Sequence, residues 1–310
     1  MHKLALTFTF IAFCSALFGQ TKTKIFTSDI TNFWMAYDSV LTTQDTIRQR
    51  DFIQRLYFDK ATLGLKEFIV AKQFSVNGHL KVILKFPKFW QSVRPNTLRV
   101  ENYRNEYERI MDRFRIIYPS FKQPDLFFTI GDLNSGGTTT QSKVLIGTEI
   151  GASDKTVDAS EIYPVLQTIF KSQTSIVYLT THEIVHTQQK GDNLYTIDLL
   201  SDCIKEGSAD FIAEILLQKS VITPYMTYGI AHERELVKKF ENEKFGVETQ
   251  EWLYNGKDYG YFIGYKICKS YYDNAKNKQK AIFDILELKY GDKEQIRKFY
   301  AKSKYAKRWK

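Results

Sequence analysis

The sequence predicts an α+β fold that is mainly helical, with a small mixed sheet. Apolar residues recur at helical spacing through most of the 310-residue chain. Two short apolar runs, Asp125 to Ile130 (DLFFTI) and Lys143 to Gly147 (KVLIG), interrupt that period around a Gly/Thr-rich stretch and read as strands. No Pro/Gly/Ser-rich linker divides the chain, and 43% hydrophobic with 15% aromatic residues leaves ample material for one core, which excludes disordered and collagen-like classes. The expected organisation is a signal peptide over residues 1–20, a mainly helical lobe over 21–120 and a core over 121–310 that ends in a basic helix.

The first twenty residues have the order of an export signal. His2 and Lys3 precede an apolar run, Leu4 to Phe13, and then the small residues Cys14, Ser15, Ala16 and Gly19. Cleavage after Ala16 or Gly19 would release a secreted or periplasmic chain. An uncleaved anchor is the alternative, but the run is short for a span. Phe13, bulky where a small residue is expected, argues against lipidation of Cys14.

Asp29 and Thr31 lie ahead of an aromatic segment, Phe33 to Val40. A second helical pattern runs from Thr46 to Ala71, with Gly64 as an interruption. The stretch from His79 to Phe89 is less regular. A third helix over Val100 to Ile117 turns Tyr103, Tyr107, Ile110, Met111 and Phe114 inward and stops before Pro119. Between the two strands, Gly136 to Thr140 reads as a loop. It is not a phosphate loop, because it lacks the Gly-Lys-Ser/Thr ending and a following helix. Helices then dominate: Glu161 to Phe170, Ser175 to Gln189, Tyr195 to Lys219, Ala231 to Glu243, Tyr259 to Tyr272 and Ala281 to Tyr290.

The chemistry concentrates in Ile176 to Gln189, IVYLTTHEIVHTQQ. His182 and His186 are four residues apart, so a helix projects both from one face and can offer two imidazole nitrogens to one zinc ion. Glu183, beside the first ligand, can take a proton from the attacking water. The apolar entry IVYL places these polar groups on a buried helix, where unpaired they would be costly. A third ligand must come from elsewhere. Asp192 is one candidate; the better is Glu206 in DLLSDCIKEGSADFIAE, twenty positions after His186. Asp210 shares its helix face and can accept a hydrogen bond from a ligand histidine. Gly207 and Ala209 keep that surface narrow, while Asp202 and Glu214 read as solvated charges.

HEIVH followed by EGSAD resembles the gluzincin metallopeptidases of the thermolysin-like clan, over about thirty residues. The stretch from Asp125 to Tyr272, with IGDLNSGGT, VLIGTE and GYFIGYKI, is similar to an uncharacterised bacterial family of predicted zinc-dependent proteases related to a gliding-motility lipoprotein. The resemblance implies a zincin-like core with two metal-bearing helices. It implies His182, His186 and Glu206 as Zn2+ ligands, Glu183 as base and Asp210 as partner of a ligand histidine. Peptide hydrolysis also needs a donor for the developing oxyanion. Tyr265 is the first choice, Tyr261 the second and His232 the third; Gly260 and Gly264 suit close helix packing. An extended peptide or protein substrate would add to an exposed strand edge, Val144 to Thr148, with Glu149 and the Asn134 to Thr140 loop lining the cleft.

Two other functions use the same residues: a catalytically inactive zincin-fold interaction protein of the cell envelope, and a zinc hydrolase of a non-peptide amide or ester. The net charge of +9, about +8 without Lys3, is concentrated at the end. Residues 291–310 hold eight Lys/Arg against Asp292 and Glu294, interleaved with Tyr300, Tyr305 and Trp309. That segment is either a solvated helix docked by its aromatics or a peripheral contact for an anionic envelope surface. Nothing resembles a nucleic-acid module. Cys203 and Cys268, the cysteines left after export, either form one bridge or stay as buried thiols.

Overall fold

The computed structural model describes residues 22–140, 142–171, 175–191, 197–220, 222–254 and 256–309. The segment expected to be an export signal, residues 1–20, and Asp192 lie outside them. The fold is mostly helical around one four-stranded mixed sheet, as the periodicity implies.

The first half comprises β1 (Ile25–Phe26), α1 (Ser28–Val40), α2 (Thr46–Ile53), α3 (Leu63–Lys72), α4 (Val76–Lys85), α5 (Pro87–Leu98) and α6 (Arg104–Ile117). The single helical pattern expected over Thr46 to Ala71 is divided: α2 runs into a π-helical turn at Gln54–Phe58, and α3 restarts behind Thr62. The Thr62 hydroxyl accepts the Leu65 N–H at 3.2 Å. Gly64 does not interrupt the helix. It lies in α3 where a Cβ would run into the ring of Phe127, so its absent side chain sets how closely helix and sheet approach. The stretch expected to be irregular is two helices. Ser75 caps α4 by accepting the Gly78 N–H at 3.0 Å, and Pro87 opens α5, its fixed φ suiting a first turn. The Phe86–Pro87 break between them hides both from a periodicity reading. In α6, Tyr107, Ile110, Met111 and Phe114 are fully buried as expected, whereas Tyr103 is exposed.

The sheet contains β2 (Asp125–Thr129), β3 (Gly137–Thr140) and β4 (Lys143–Gly147) in the order β1-β2-β4-β3. β1 and β4 pair with β2 in parallel, and β3 pairs with β4 antiparallel, Gly137 opposite Ile146 and Thr140 opposite Lys143. The Gly/Thr segment expected to be a loop is therefore the edge strand. Val144, Leu145 and Ile146 have no exposed surface, because β4 is paired on both sides.

The second half continues as α7 (Thr148–Gly151), α8 (Pro164–Lys171), α9 (Ile176–His186), α10 (Leu199–Leu217), α11 (Pro224–Ala231), α12 (Glu233–Glu243), α13 (Tyr259–Asn274), α14 (Lys278–Leu286) and α15 (Lys293–Ser303). α10 and α13 pack side by side and parallel: Cys203 lies against Gly260 and Gly264, and Gly207 against Gly264 and Tyr265. The glycines thus serve the α10–α13 contact. Cys203 and Cys268 are two buried free thiols, not a bridge. In the parallel register, Cys268 is a helical turn beyond Gly264, or about 6 Å further along the axis at 1.5 Å per residue. Tyr305 and Tyr300 anchor the basic end by hydrogen bonds to Glu233 and Glu241, so its aromatics dock it. Among the described residues no helix is long and apolar enough to cross a membrane.

Candidate metal centre

Ser175 starts α9 by accepting the Tyr178 N–H at 3.2 Å, and Asp198 starts α10 by accepting the Ser201 N–H at 2.9 Å. Caps of this kind contribute about 1 kcal/mol each and fix where each helix begins, hence which face each later residue occupies. On α9 the four-residue spacing brings His182 Nε2 and His186 Nε2 to 2.9 Å. Across from them, Glu206 of α10 places Oε2 3.4 Å from His182 Nε2 and 3.2 Å from His186 Nε2. Buried or nearly so, these side chains offer three donor atoms that all lie within 4.8 Å of one another.

The far side of each imidazole determines what its near side can do. His182 Nδ1 donates to Asp210 Oδ1 at 2.8 Å, and His186 Nδ1 donates to Gln189 Oε1 at 2.7 Å. With Nδ1 protonated and engaged, each Nε2 has its lone pair free for a cation. Gln189 is held in turn by donating to the Lys205 carbonyl and to Ser208 Oγ, both at 2.7 Å. Asp210 has no exposed surface and also accepts from Tyr178 and, at 2.9 Å, from Tyr225.

The electrostatics favour a cation at this point. Burial opposes a charge on His182, but hydrogen bonds to Asp210 and Glu206 overcome it and push the imidazole up to about 10. Burial likewise opposes charge on Glu206, yet His186 and His182 hold its carboxyl well below the usual range. A proton and a metal ion compete for the same electron pairs. Two imidazoles and one carboxylate on adjacent helices are the donor set of a three-ligand zinc site with an open position, so the residues fit a single Zn2+.

Glu183 points into the cleft beside this cluster. Burial raises its pKa, while His186 and His182 oppose the rise, which suits a group that accepts a proton and returns it. The edge strand makes room for it: a Cβ on Gly137 would be 3.0 Å from Glu183 Oε1. The cleft, about 260 Å³, is lined by Gly136, Gly137, Tyr178, His182, Glu183, Tyr225 and Tyr261 among others.

The expected oxyanion donors separate clearly. Tyr261 lines the cleft with its ring stacked on His182, centroids 6.0 Å apart. The Tyr265 hydroxyl donates to Glu214 at 2.8 Å, so the first choice is committed elsewhere, and Glu214 is half-buried, not a solvated charge. The parallel register of α10 and α13 explains this, since Tyr265, one turn after Tyr261, lies further along α10. His232 is exposed and stacks on Tyr228. Thr148 and Glu149 do not line the cleft. Both are fully buried, and Glu149 accepts the Gly131 and Leu133 N–H groups at 2.8 and 3.4 Å, pinning the chain that leads to β3. Sequence reasoning missed Tyr178, Gln189, Tyr225 and Tyr254, whose hydroxyl donates to Glu206 Oε1 at 2.8 Å. Tyr178 and Gln189 carried a signal, lying one turn before His182 and one turn after His186 in the expected helix.

Residues 156–291 match the model of a family described as "Predicted Zn-dependent protease (DUF2268)". Neither the curated proteins nor the solved structures include a match to this chain. The matched segment contains all three ligands, Glu183 and Asp210, so the match and the geometry point to one zinc-dependent hydrolase site of gluzincin type.

Proposed function

From a segment of a zinc-dependent protease family that carries a gluzincin-type ligand triad, we infer that this chain is a metallopeptidase hydrolysing peptide bonds. The convergence of His182, His186 and Glu206 beside a cleft-facing Glu183 carries the reading. When bound, zinc supplies Lewis acidity and makes water nucleophilic at neutral pH. Glu183 accepts the proton of the attacking water and delivers it to the leaving amine. Asp210 and Gln189 keep both ligand imidazoles in the tautomer that presents Nε2. Tyr261, which lines the cleft, takes the role of neutral donor to the developing oxyanion.

The substrate peptide adds to β3. Gly136 O accepts the Gly147 N–H at 2.9 Å, so the antiparallel alternation turns the backbone groups of Gly137 and Thr139 away from β4, toward a further strand. Such a strand runs past Glu183, since Gly136 and Gly137 line the same cleft. The order of basic, apolar and small residues over 1–20 supports export to the envelope or outside the cell, and the exposed lysines and arginines of α15 and the following turn would offer a peripheral contact to anionic surfaces there.

A broad peptide library digested by zinc-loaded protein tests this reading. Reproducible cleavage that disappears in Glu183→Gln at equal zinc content is expected. Cleavage at the same rate in that variant would reject Glu183 as the base. An absence of cleavage across the library would leave the inactive or non-peptide alternatives.

A further inference from the structure

Tyr254 combines three features that ordinary packing does not account for. Its backbone is in the left-handed region, φ 60°, which a bulky side chain adopts only at a cost. It is 70% exposed, so burial does not offset that cost. Yet its hydroxyl reaches the buried carboxylate of Glu206, donating to Oε1 at 2.8 Å. The residues before it are firmly anchored: Trp252 and Leu253 are each 1% exposed, and the Trp252 indole donates to Glu243 at 2.7 Å. The left-handed turn after that anchor aims the phenol at the metal centre, its ring edge-on to Tyr261 at 6.2 Å.

We propose that Tyr254 is a positioning residue that makes Glu206 a one-oxygen ligand. The two carboxylate oxygens of Glu206 have different surroundings. Oε2 faces both histidine Nε2 atoms, at 3.4 and 3.2 Å, whereas Oε1 accepts the Tyr254 hydroxyl. A carboxylate unrestrained at Oε1 can swing both oxygens onto a cation and fill a coordination position that a hydrolytic site keeps open. A hydrogen bond to Oε1 opposes that rotation and leaves Oε2 as the donor. Glu206 therefore has the same kind of outer support that Asp210 gives His182 and Gln189 gives His186. The side chain comes from the segment between α12 and α13, outside the two ligand helices, and its hydroxyl meets the site at Glu206 Oε1.

The inference rests on the zinc site proposed above, and its test separates the two. Zinc affinity is measured by chelator competition in the full mature chain and in Tyr254→Phe, which keeps the ring and removes the hydroxyl. The cobalt-substituted forms are compared by visible absorption. Zinc binding should weaken about 10–100-fold in the variant. Its cobalt spectrum should lose intensity, as a four-coordinate site does on becoming five-coordinate, with the melting temperature of the metal-free protein unchanged. Equal affinity and identical cobalt spectra would overturn the role of Tyr254 and leave the metal site standing. A drop in metal-free stability without a change in affinity would also overturn it, marking a structural tyrosine. Failure of the parent to bind either metal would overturn the site itself and this role with it.

Discussion

Replacing Gly264 by alanine adds one methyl group where α10 and α13 meet. Two effects of opposite sign compete. Alanine is a better helix former than glycine by about 1 kcal/mol, so on propensity alone the variant should be more stable. The added Cβ, however, would lie 1.6 Å from the Cys203 carbonyl oxygen and 3.1 Å from the Gly207 Cα, where 3.4–4 Å is ordinary contact. The obstacle is backbone and cannot swing aside as a side-chain end can, so the helices must separate. Overpacking of this kind costs about 1–3 kcal/mol, and a backbone collision belongs at the upper end. The expected net loss is about 2 kcal/mol. Zinc affinity should fall as well, because Glu206 is three residues after Cys203 and ligand distances tolerate only about 0.2 Å. Urea unfolding of the metal-free protein should show a lower midpoint with an unchanged slope. Gly260→Ala is the control: its Cβ would meet the Leu253 and Cys203 side-chain ends at 2.7 and 2.9 Å, which can shift, so its loss should be smaller. A Gly264→Ala protein as stable as the parent would refute the close-crossing argument.

Glu206→Ala should weaken zinc binding far more than Asp192→Ala, with both variants checked for folding first; the reverse order would move the third ligand to Asp192. Burial pushes the Glu149 carboxyl up to about 7 despite its backbone hydrogen bonds. The folded state then holds a proton that the unfolded chain, near 4.5, releases. Stability from this group is full below pH ~4.5 and is lost as pH rises through ~7, by roughly 3 kcal/mol in all. Urea midpoints measured across that window should fall with pH in the parent and less steeply in Glu149→Gln; parallel curves would show that Glu149 is not the group responsible.

The parts of the fold and site that were legible in the sequence depend on short-range periodicity. His182, His186 and Glu183 are set by one helical turn, and Glu206 and Asp210 by another, so spacing alone assigns their faces. β3 was not legible because GTTT has no apolar alternation: all four residues are half-buried at a sheet edge. α4 and α5 were obscured because their boundary, Phe86–Pro87, falls between two short apolar clusters, Val82 to Leu84 and Phe89 to Trp90, whose spacing does not continue one helical period. Tyr261 and Tyr265 share a helix face, and only the parallel register of α13 on α10 sends one to the cleft and the other to Glu214. Tyr225 and Tyr254 reach the site from segments distant in sequence, and no local pattern marks such contacts.

Metal analysis of the purified mature protein tests the central claim most directly. The parent should hold about one zinc per chain, and Glu183→Gln should hold the same, since Glu183 is not a ligand. His186→Ala should lose most of it. A folded parent with no retained zinc and none restorable on titration would contradict the assignment of His182, His186 and Glu206 as a zinc site.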